Sequence, residues 1–303
     1  MEPRLCLDDL LAQSRTVGFD AAGVAPVEKL TKNRKVLEQW LAEGCHAGMM
    51  YMARNIEKRE DVTLLVENAR SVIVTLTNYY TPAAQPPTAP LIARYAYGKD
   101  YHIVVKDRLR QLMQALGDIP GRCFTDSAPL FEHEWARRAG LGWIGKNTLL
   151  IHPVYGSFCF IGIIVTPLAF DRYSRPVEAS HCGTCTRCLD TCPTGALAPR
   201  CLDARRCISY HTIESKDPLP EDIKKAAGNR LFGCDRCQEV CPWNSRAEKN
   251  RVPEFAPDPA VLRLCREDWL AMDELTFKQL FCDTPCERAG LEKLRNTVKE
   301  QCD

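Results

Sequence analysis

Four cysteines, Cys182, Cys185, Cys188 and Cys192, stand in a C-x2-C-x2-C-x3-C run that is closed by Pro193. Thiolates at this spacing wrap three corners of one iron-sulfur cubane, while the fourth, followed by proline, points at the other cluster of a two-cluster ferredoxin. Cys234, Cys237 and Cys241 repeat the C-x2-C-x3-C ending, again with a proline, Pro242. The second run lacks its first cysteine. Cys207, ahead of the helical-looking stretch 220–227, is the first candidate for that position and Cys201 the second. The crossover rule then assigns Cys182, Cys185, Cys188 and Cys241 to one 4Fe-4S cluster, and Cys192, Cys207, Cys234 and Cys237 to the other. Zinc is the rival ligand, but four-coordinate zinc sites use two separated pairs rather than a tripod followed by C-P. Of the 17 cysteines, the nine outside these eight, Cys6, Cys45, Cys123 and Cys159 among them, are assigned no chemistry, because a free cysteine is commonly a small buried hydrophobe.

An electron-carrying module needs little chain, so the long segment in front of it must hold whatever the electrons reach. That segment reads as a mixture of helices and strands. Leu7, Leu10, Leu11 and Val17 fall on one helical face ahead of Gly18, and Val105, Leu109, Leu112, Met113 and Leu116 do the same ahead of Gly117. Ser71 to Leu76 reads as a buried strand followed by a proline-rich loop, 81–90, and Asn147 to Ile151 and Phe158 to Val165 read as two further core strands. Asp126, Ser127 and Pro129 precede Leu130, Phe131 and Trp135, which predicts a helix capped at Asp126. The expected domains are 1–174 as an α/β unit, 175–250 as the ferredoxin-like unit and 251–303 as a helical tail carrying Trp269, Leu270, Leu275, Phe277 and Leu280.

The bulk numbers narrow the class. A chain of 303 residues with 45% hydrophobic and 26% charged content is an ordinary globular protein, and a net charge of +1 exerts no global pull on nucleic acid or anionic membrane. The first residues, MEPRLCLDDL, lack the basic and apolar regions of a secretory leader, and no apolar run is long enough to span a bilayer, so a reducing cytoplasm is expected. No G-x-G-x-x-G follows a predicted strand, which removes support for a Rossmann nucleotide site. A D-x-H-x-x-G run, which would offer histidine to a corrinoid cobalt, is absent as well.

Four stretches together resemble the epoxyqueuosine reductase family: IEKRED around Arg59, YGKDYH at 97–102, TDSAPLFEHEWARRAGLGWIGKN at 125–147, and RCISYHTIE through GNRLFGCDRCQEVCPWN. The resemblance implies a cobalamin-binding α/β domain, similar to nitroreductases and reductive dehalogenases, ahead of the two-cluster domain. It implies removal of the epoxide oxygen of epoxyqueuosine at the tRNA wobble position, the last step of queuosine synthesis, with two electrons and two protons. Asp126 falls on the family's proton donor and is expected to be held protonated by burial. By the same carry-over Arg59, Ala93, Asn147, Leu150, Ile161, Ile208 and Asp235 line the corrin, with Lys146 beside them and no protein ligand on cobalt. Partners are a tRNA and an external low-potential electron donor, with Lys216, Lys224 and Lys225 as the expected RNA contacts of a monomer. Many members continue past the stretch Arg295, Asn296 and Thr297 into HEAT-type repeats, which are expected to be absent after Asp303. Ile163 stands where a glutamate or similar residue is frequent in the family. The alternatives are a corrinoid enzyme of the reductive dehalogenase kind and a ferredoxin-type electron carrier.

Overall fold

The computed structural model describes residues 4–301. Its centre is a four-stranded antiparallel sheet in the spatial order Ala21–Pro26, Ser71–Asn78, Cys159–Thr166 and Arg122–Phe124. All of Ser71–Asn78 is buried, so this strand has no solvent face and reads as an unbroken β-branched and apolar run. Its side chains alternate between two cores. Ile73, with its cross-strand partner Ile164, packs under the helices Leu7–Val17 and Tyr101–Ala115 through Leu10, Val105, Leu109 and Leu112. Val72 and Val74, with Val165 and Ile163, face Trp135 and Ala136 of the helix Glu132–Arg138. The result is a mixed α/β unit with helices on both faces of one sheet.

Gly162 sets how closely the helix Tyr101–Ala115 approaches. A Cβ there would lie 2.7 Å from Thr75 Oγ1 and 2.9 Å from Val105 Cγ1. Ile163, the departure from the family pattern, is fully buried in the Trp135 core, and an isoleucine is what that environment stabilises.

Two local expectations are corrected. The helix predicted to start at Asp126 begins at Glu132, with Phe131 in the cap position. Asp126 instead has φ of 55°. Ser127 N donates to Thr125 O at 2.6 Å and Leu130 N to Ala128 O at 2.8 Å, so the stretch folds as tight turns, and Pro129 disfavours helical geometry at Ala128. Of the expected strand Asn147 to Ile151, only Leu150–Ile151 is extended, and it pairs with Trp143–Ile144 as a ribbon apart from the main sheet.

In the cysteine-rich region two short helices, Arg187–Asp190 and Arg236–Glu239, each lie within one of the C-x2-C-x3-C endings and pack on one another. The strand Arg230–Phe232 runs parallel to Leu91–Ile92 and ties this region to the α/β unit. The tail helices bury Trp269, Phe277, Phe281 and Leu294 against Ile92, Leu231 and Phe232, so they brace that joint. Among the described residues no helix is long and apolar enough to cross a membrane.

Candidate active site and cluster cradles

Among the described residues no cysteine is in a disulfide. Cys182, Cys185, Cys188 and Cys241 line one cavity of about 280 Å³, together with Lys146, Asn147 and Trp243. Burial raises the Cys241 thiol, and its neighbours Cys182 and Cys185 add to the rise. The other group gathers separately. Burial raises Cys207, Cys234 and Cys237, with Cys192 acting on Cys207, Cys207 on Cys234, and both Cys234 and Cys207 on Cys237. Crowded thiols of this kind resist ionisation until a cation joins them, so both groups fit the charge of an iron-sulfur core. Cys201 lies elsewhere, in a hairpin opposite Ala198, with Cys45 as its electrostatic neighbour.

Lys146 reaches the first cradle. Its Nζ donates to Gly183 O and to Cys185 O, each at 2.8 Å, and so ties the loop of the first two cysteines to the α/β unit.

Asp126 sits on its turn beside the first residues of the helix Tyr101–Ala115. The Tyr101 hydroxyl donates to Asp126 Oδ2, and His102 Nε2 lies 3.5 Å from the same oxygen. His102 Nδ1 is 2.7 Å from Asp100 Oδ1, which fixes the ring from its other side. Phe160 stacks on Tyr101 with ring centroids 4.3 Å apart. Behind the turn, Glu132 Oε1 accepts the Asp126 backbone N–H.

This geometry reverses the expected protonation of Asp126. Burial pushes its carboxyl up, but hydrogen bonds from His102 and Tyr101 outweigh that, and the net shift is downward. Burial is the largest single influence, but the His102 and Tyr101 hydrogen bonds and the charges of His102 and Arg288 together exceed it. His102 responds in kind: burial opposes its charge, yet Asp100 and Asp126 push it up to about 9. Glu132 moves the other way, raised by burial and by the Asp126 charge to about 8. Near neutrality the turn therefore holds an ionised Asp126 between a protonated imidazole and a protonated carboxyl.

Arg59, from the short helix Ile56–Glu60, reaches toward the same turn. It is 8% exposed, its Nη1 lies 3.5 Å from Leu130 O, and its buried Nε has no hydrogen-bond partner. A buried guanidinium nitrogen left open in this way fits a bound group rich in carbonyl acceptors, as the amide-bearing rim of a corrin is.

The remaining expected lining residues fall around the second cysteine group or into the core. Ala93 N donates to Phe232 O at 2.8 Å, and a Cβ on Gly233 would come within 2.6 Å of the Ala93 Cβ. Gly233 has φ of 78°, so glycine is what lets the chain pass Ala93 into Cys234. Asp235 is buried and accepts Arg94 N at 2.8 Å; burial raises its carboxyl although the Arg94 backbone and charge pull it down. Asn147 Nδ2 lies 3.5 Å from Cys237 O. Leu150 and Ile161 pack in the Trp135 core, while Ile208 joins Leu219, Ile223 and Ala227 in a small core touching Cys234. Tyr95, half-buried, spans the two regions: its ring meets Tyr101 edge-on at 6.3 Å, and both Asp126 and Asp235 raise its phenol after burial and Cys286.

The expected RNA contacts differ among themselves. Lys225 is exposed, whereas Lys224 is 16% exposed and lies 3.8 Å from Glu221. Lys216 lines a groove shared with Glu274, Glu287, Glu292 and Glu300. Sequence reading missed Tyr101, His102 and Glu132 as parts of the site. They lie inside the stretches YGKDYH and FEHEW, but only the fold brings the two together.

Comparisons with known proteins agree with this arrangement. Residues 59–127 match the family described as epoxyqueuosine reductase QueG, DUF1730, and residues 181–244 match a 4Fe-4S double cluster binding domain. The epoxyqueuosine reductase of Leadbetterella byssophila is 41% identical over 286 residues, spanning 93% of each chain. That of Cyclobacterium marinum is 41% identical over 291 residues, spanning 93% of this chain and 92% of the relative. The chain belongs to the epoxyqueuosine reductase family. Among solved members, one crystallised with an epoxyqueuosine-modified tRNA-Tyr stem loop superposes with a TM-score of 0.86 at 31% identity, covering 97% of this chain and 80% of that one. The Bacillus subtilis epoxyqueuosine reductase, solved with its catalytic aspartate loop swung out of the active site, gives 0.87 at 30% identity and the same coverage. This family member is thus an oxidoreductase whose cysteine-rich region is a two-cluster 4Fe-4S domain on a mixed α/β scaffold.

Proposed function

We propose that the chain reduces epoxyqueuosine in the anticodon of tRNA to queuosine in a reducing cytoplasm, taking electrons from an external low-potential donor through its two 4Fe-4S clusters. The juxtaposition of Asp126, Tyr101 and His102 supports this reading most directly, because loss of an epoxide oxygen needs protons delivered at one point. The balance is one epoxide, two electrons and two protons in, one alkene and one water out. The clusters would be held by Cys182, Cys185, Cys188 and Cys241, and by Cys192, Cys207, Cys234 and Cys237.

Cobalamin would rest among Arg59, Ala93, Asn147, Leu150, Ile161, Ile208 and Asp235, and when bound it supplies low-valent cobalt that attacks or reduces a strained epoxide carbon. His102 is engaged at both ring nitrogens, which leaves it no lone pair for cobalt. Asp126, ionised at rest, takes a proton from the His102 imidazolium at the oxygen they share and passes it to the departing oxygen, while the Tyr101 hydroxyl holds that carboxylate in place. Arg59, with its unpartnered Nε, would hold carbonyl acceptors of the cofactor. RNA is gripped locally by Lys216, Lys224 and Lys225, because a net charge of +1 forbids a uniformly basic surface.

The test is anaerobic reconstitution with iron, sulfide and corrinoid quantified, followed by assay of queuosine formed in epoxyqueuosine-bearing tRNA. Two clusters and one corrinoid per chain with turnover are expected. Clusters without corrinoid binding or turnover would reduce the protein to an electron carrier.

A further inference from the structure

The two cysteine groups differ in what surrounds them. Around the second group stand Ile208 and Asp235, residues that the reading above places at the corrin, while Asn147 reaches Cys237 O and also lines the cavity of the first group. The first group instead lines the cavity of about 280 Å³, whose other walls include Arg187, Arg246 and His181, all three exposed. On that reading electrons enter at the first group and leave at the second. Resting on the two-cluster reading, we propose that Arg187 and Arg246 form the docking face for an acidic one-electron carrier protein.

The charge at this rim is net positive. Among the described residues neither guanidinium takes part in an ion pair. Of the two acidic side chains near Arg187, Glu239 is paired with Arg94 at 2.7 Å, and Asp190 accepts the Thr186 hydroxyl at 2.7 Å, which leaves the pair of arginines with one carboxylate against them. Arg187 sits one residue before Cys188, at the start of the short helix Arg187–Asp190, and Arg246 follows the Cys241 segment. His181 and Trp243, which line the same cavity, pack about Trp143, with His181 and Trp143 centroids 4.8 Å apart, so part of the wall beside the arginines is aromatic.

A cubane held by four thiolates is a net anion and becomes more negative on reduction. An acidic carrier would be repelled by it unless cations stand between the two. Arginines placed at the rim and outside the thiolate cage do that, and they steer encounter without entering the ligand shell. A tRNA is the other polyanion the protein meets, but its reactive base must reach Asp126, which lines no part of this cavity.

The experiment uses the anaerobically reconstituted holoprotein and the double variant R187E/R246E, with R187Q/R246Q as a milder second. Cluster reduction is followed by stopped-flow absorbance with a photoreduced acidic bacterial ferredoxin as probe, from low to high salt. The wild-type rate is expected to fall steeply with salt. R187E/R246E should be at least about tenfold slower at low salt and nearly salt-independent, with R187Q/R246Q between them. Reduced methyl viologen, a cation, should reduce all three at no less than the wild-type rate, and iron content should be unchanged. Equal ferredoxin rates and equal salt dependence in wild type and variants overturn the proposal. So does a loss of tRNA affinity as large as the loss of electron-transfer rate, which would make this face the RNA surface. Failure of viologen to reduce the wild type would strike the two-cluster reading instead.

Discussion

Glu132 Oε1 accepts the Asp126 backbone N–H at 2.6 Å, which places a second carboxyl group directly behind the Asp126 turn. The two carboxyls are driven apart, Asp126 downward by its donors and Glu132 up to about 8 by burial and by the Asp126 charge. The folded protein thus holds a proton on Glu132 that the unfolded chain, with the ordinary value of 4.5, releases. Stability contributed by this group is full below pH 4.5 and is lost as pH rises to about 8. Glu132→Gln is neutral throughout, so the melting temperature of the variant relative to wild type should climb between about pH 5 and about pH 8 and level off above. Thermal scans across that range decide it; a constant difference would mean that Glu132 is ionised in the fold.

How much of this was legible beforehand depends on range. The periodicity of Leu7 to Val17 and of Val105 to Leu116, and the spacing of the cysteines, are local signals, and the corresponding helices and thiol groups are present. The Asp126 turn was misread because Asp, Ser and Pro ahead of an apolar run serve a helix start and a tight turn equally well. Its protonation was misread because Tyr101 and His102 lie 25 and 24 residues away in sequence and reach Asp126 only through the packing of their helix on Gly162. The contacts of Lys146 are likewise long-range: its ammonium group reaches carbonyls nearly forty residues on.

The fourth ligand of the second cluster separates two cysteines that sequence alone ranks but does not resolve. Cys207 shares its surroundings with Cys192, Cys234 and Cys237, while Cys201 sits in its hairpin near Cys45. Cys207→Ser should therefore remove about half the iron and the electron paramagnetic resonance signal of one reduced cluster. Cys201→Ser should leave both signals intact. The opposite pattern would transfer the ligand role to Cys201.

For RNA, the ion pairing of the lysines ranks them. Lys224 is covered and faces Glu221, so reversing its charge should matter least. Lys225→Glu should weaken tRNA binding and reduce the slope of log affinity against log salt by about 0.7 to 0.9 if it neutralises one phosphate. Lys216→Glu should act less, because four glutamates share its groove. Filter binding at several salt concentrations reads all three. Unchanged slopes for Lys225 and Lys216 variants would move the RNA surface elsewhere.

Asp126→Asn tests the chemistry itself. Asparagine is nearly isosteric, and its amide oxygen can still accept from the Tyr101 hydroxyl, while the backbone N–H that Glu132 receives is untouched. Aspartate and asparagine both tolerate the left-handed backbone that the turn requires, with φ of 55°, so the fold and both cysteine groups should persist. What is lost is a group that takes a proton from His102 or Tyr101 and gives it to the departing oxygen. General acid catalysis is commonly worth about 10²- to 10⁴-fold, so turnover should fall in that range while iron content and tRNA affinity hold. The His102 imidazolium should also titrate lower in the variant, because one of the two carboxylates that raise it to about 9 is gone. That shift can be followed by nuclear magnetic resonance of the ring protons in the metal-free chain, should it stay folded, and in the holoprotein through the alkaline limb of the residual rate. Near-normal turnover in Asp126→Asn would assign proton delivery to His102 or Tyr101 acting directly, and would leave Asp126 as the residue that orients them.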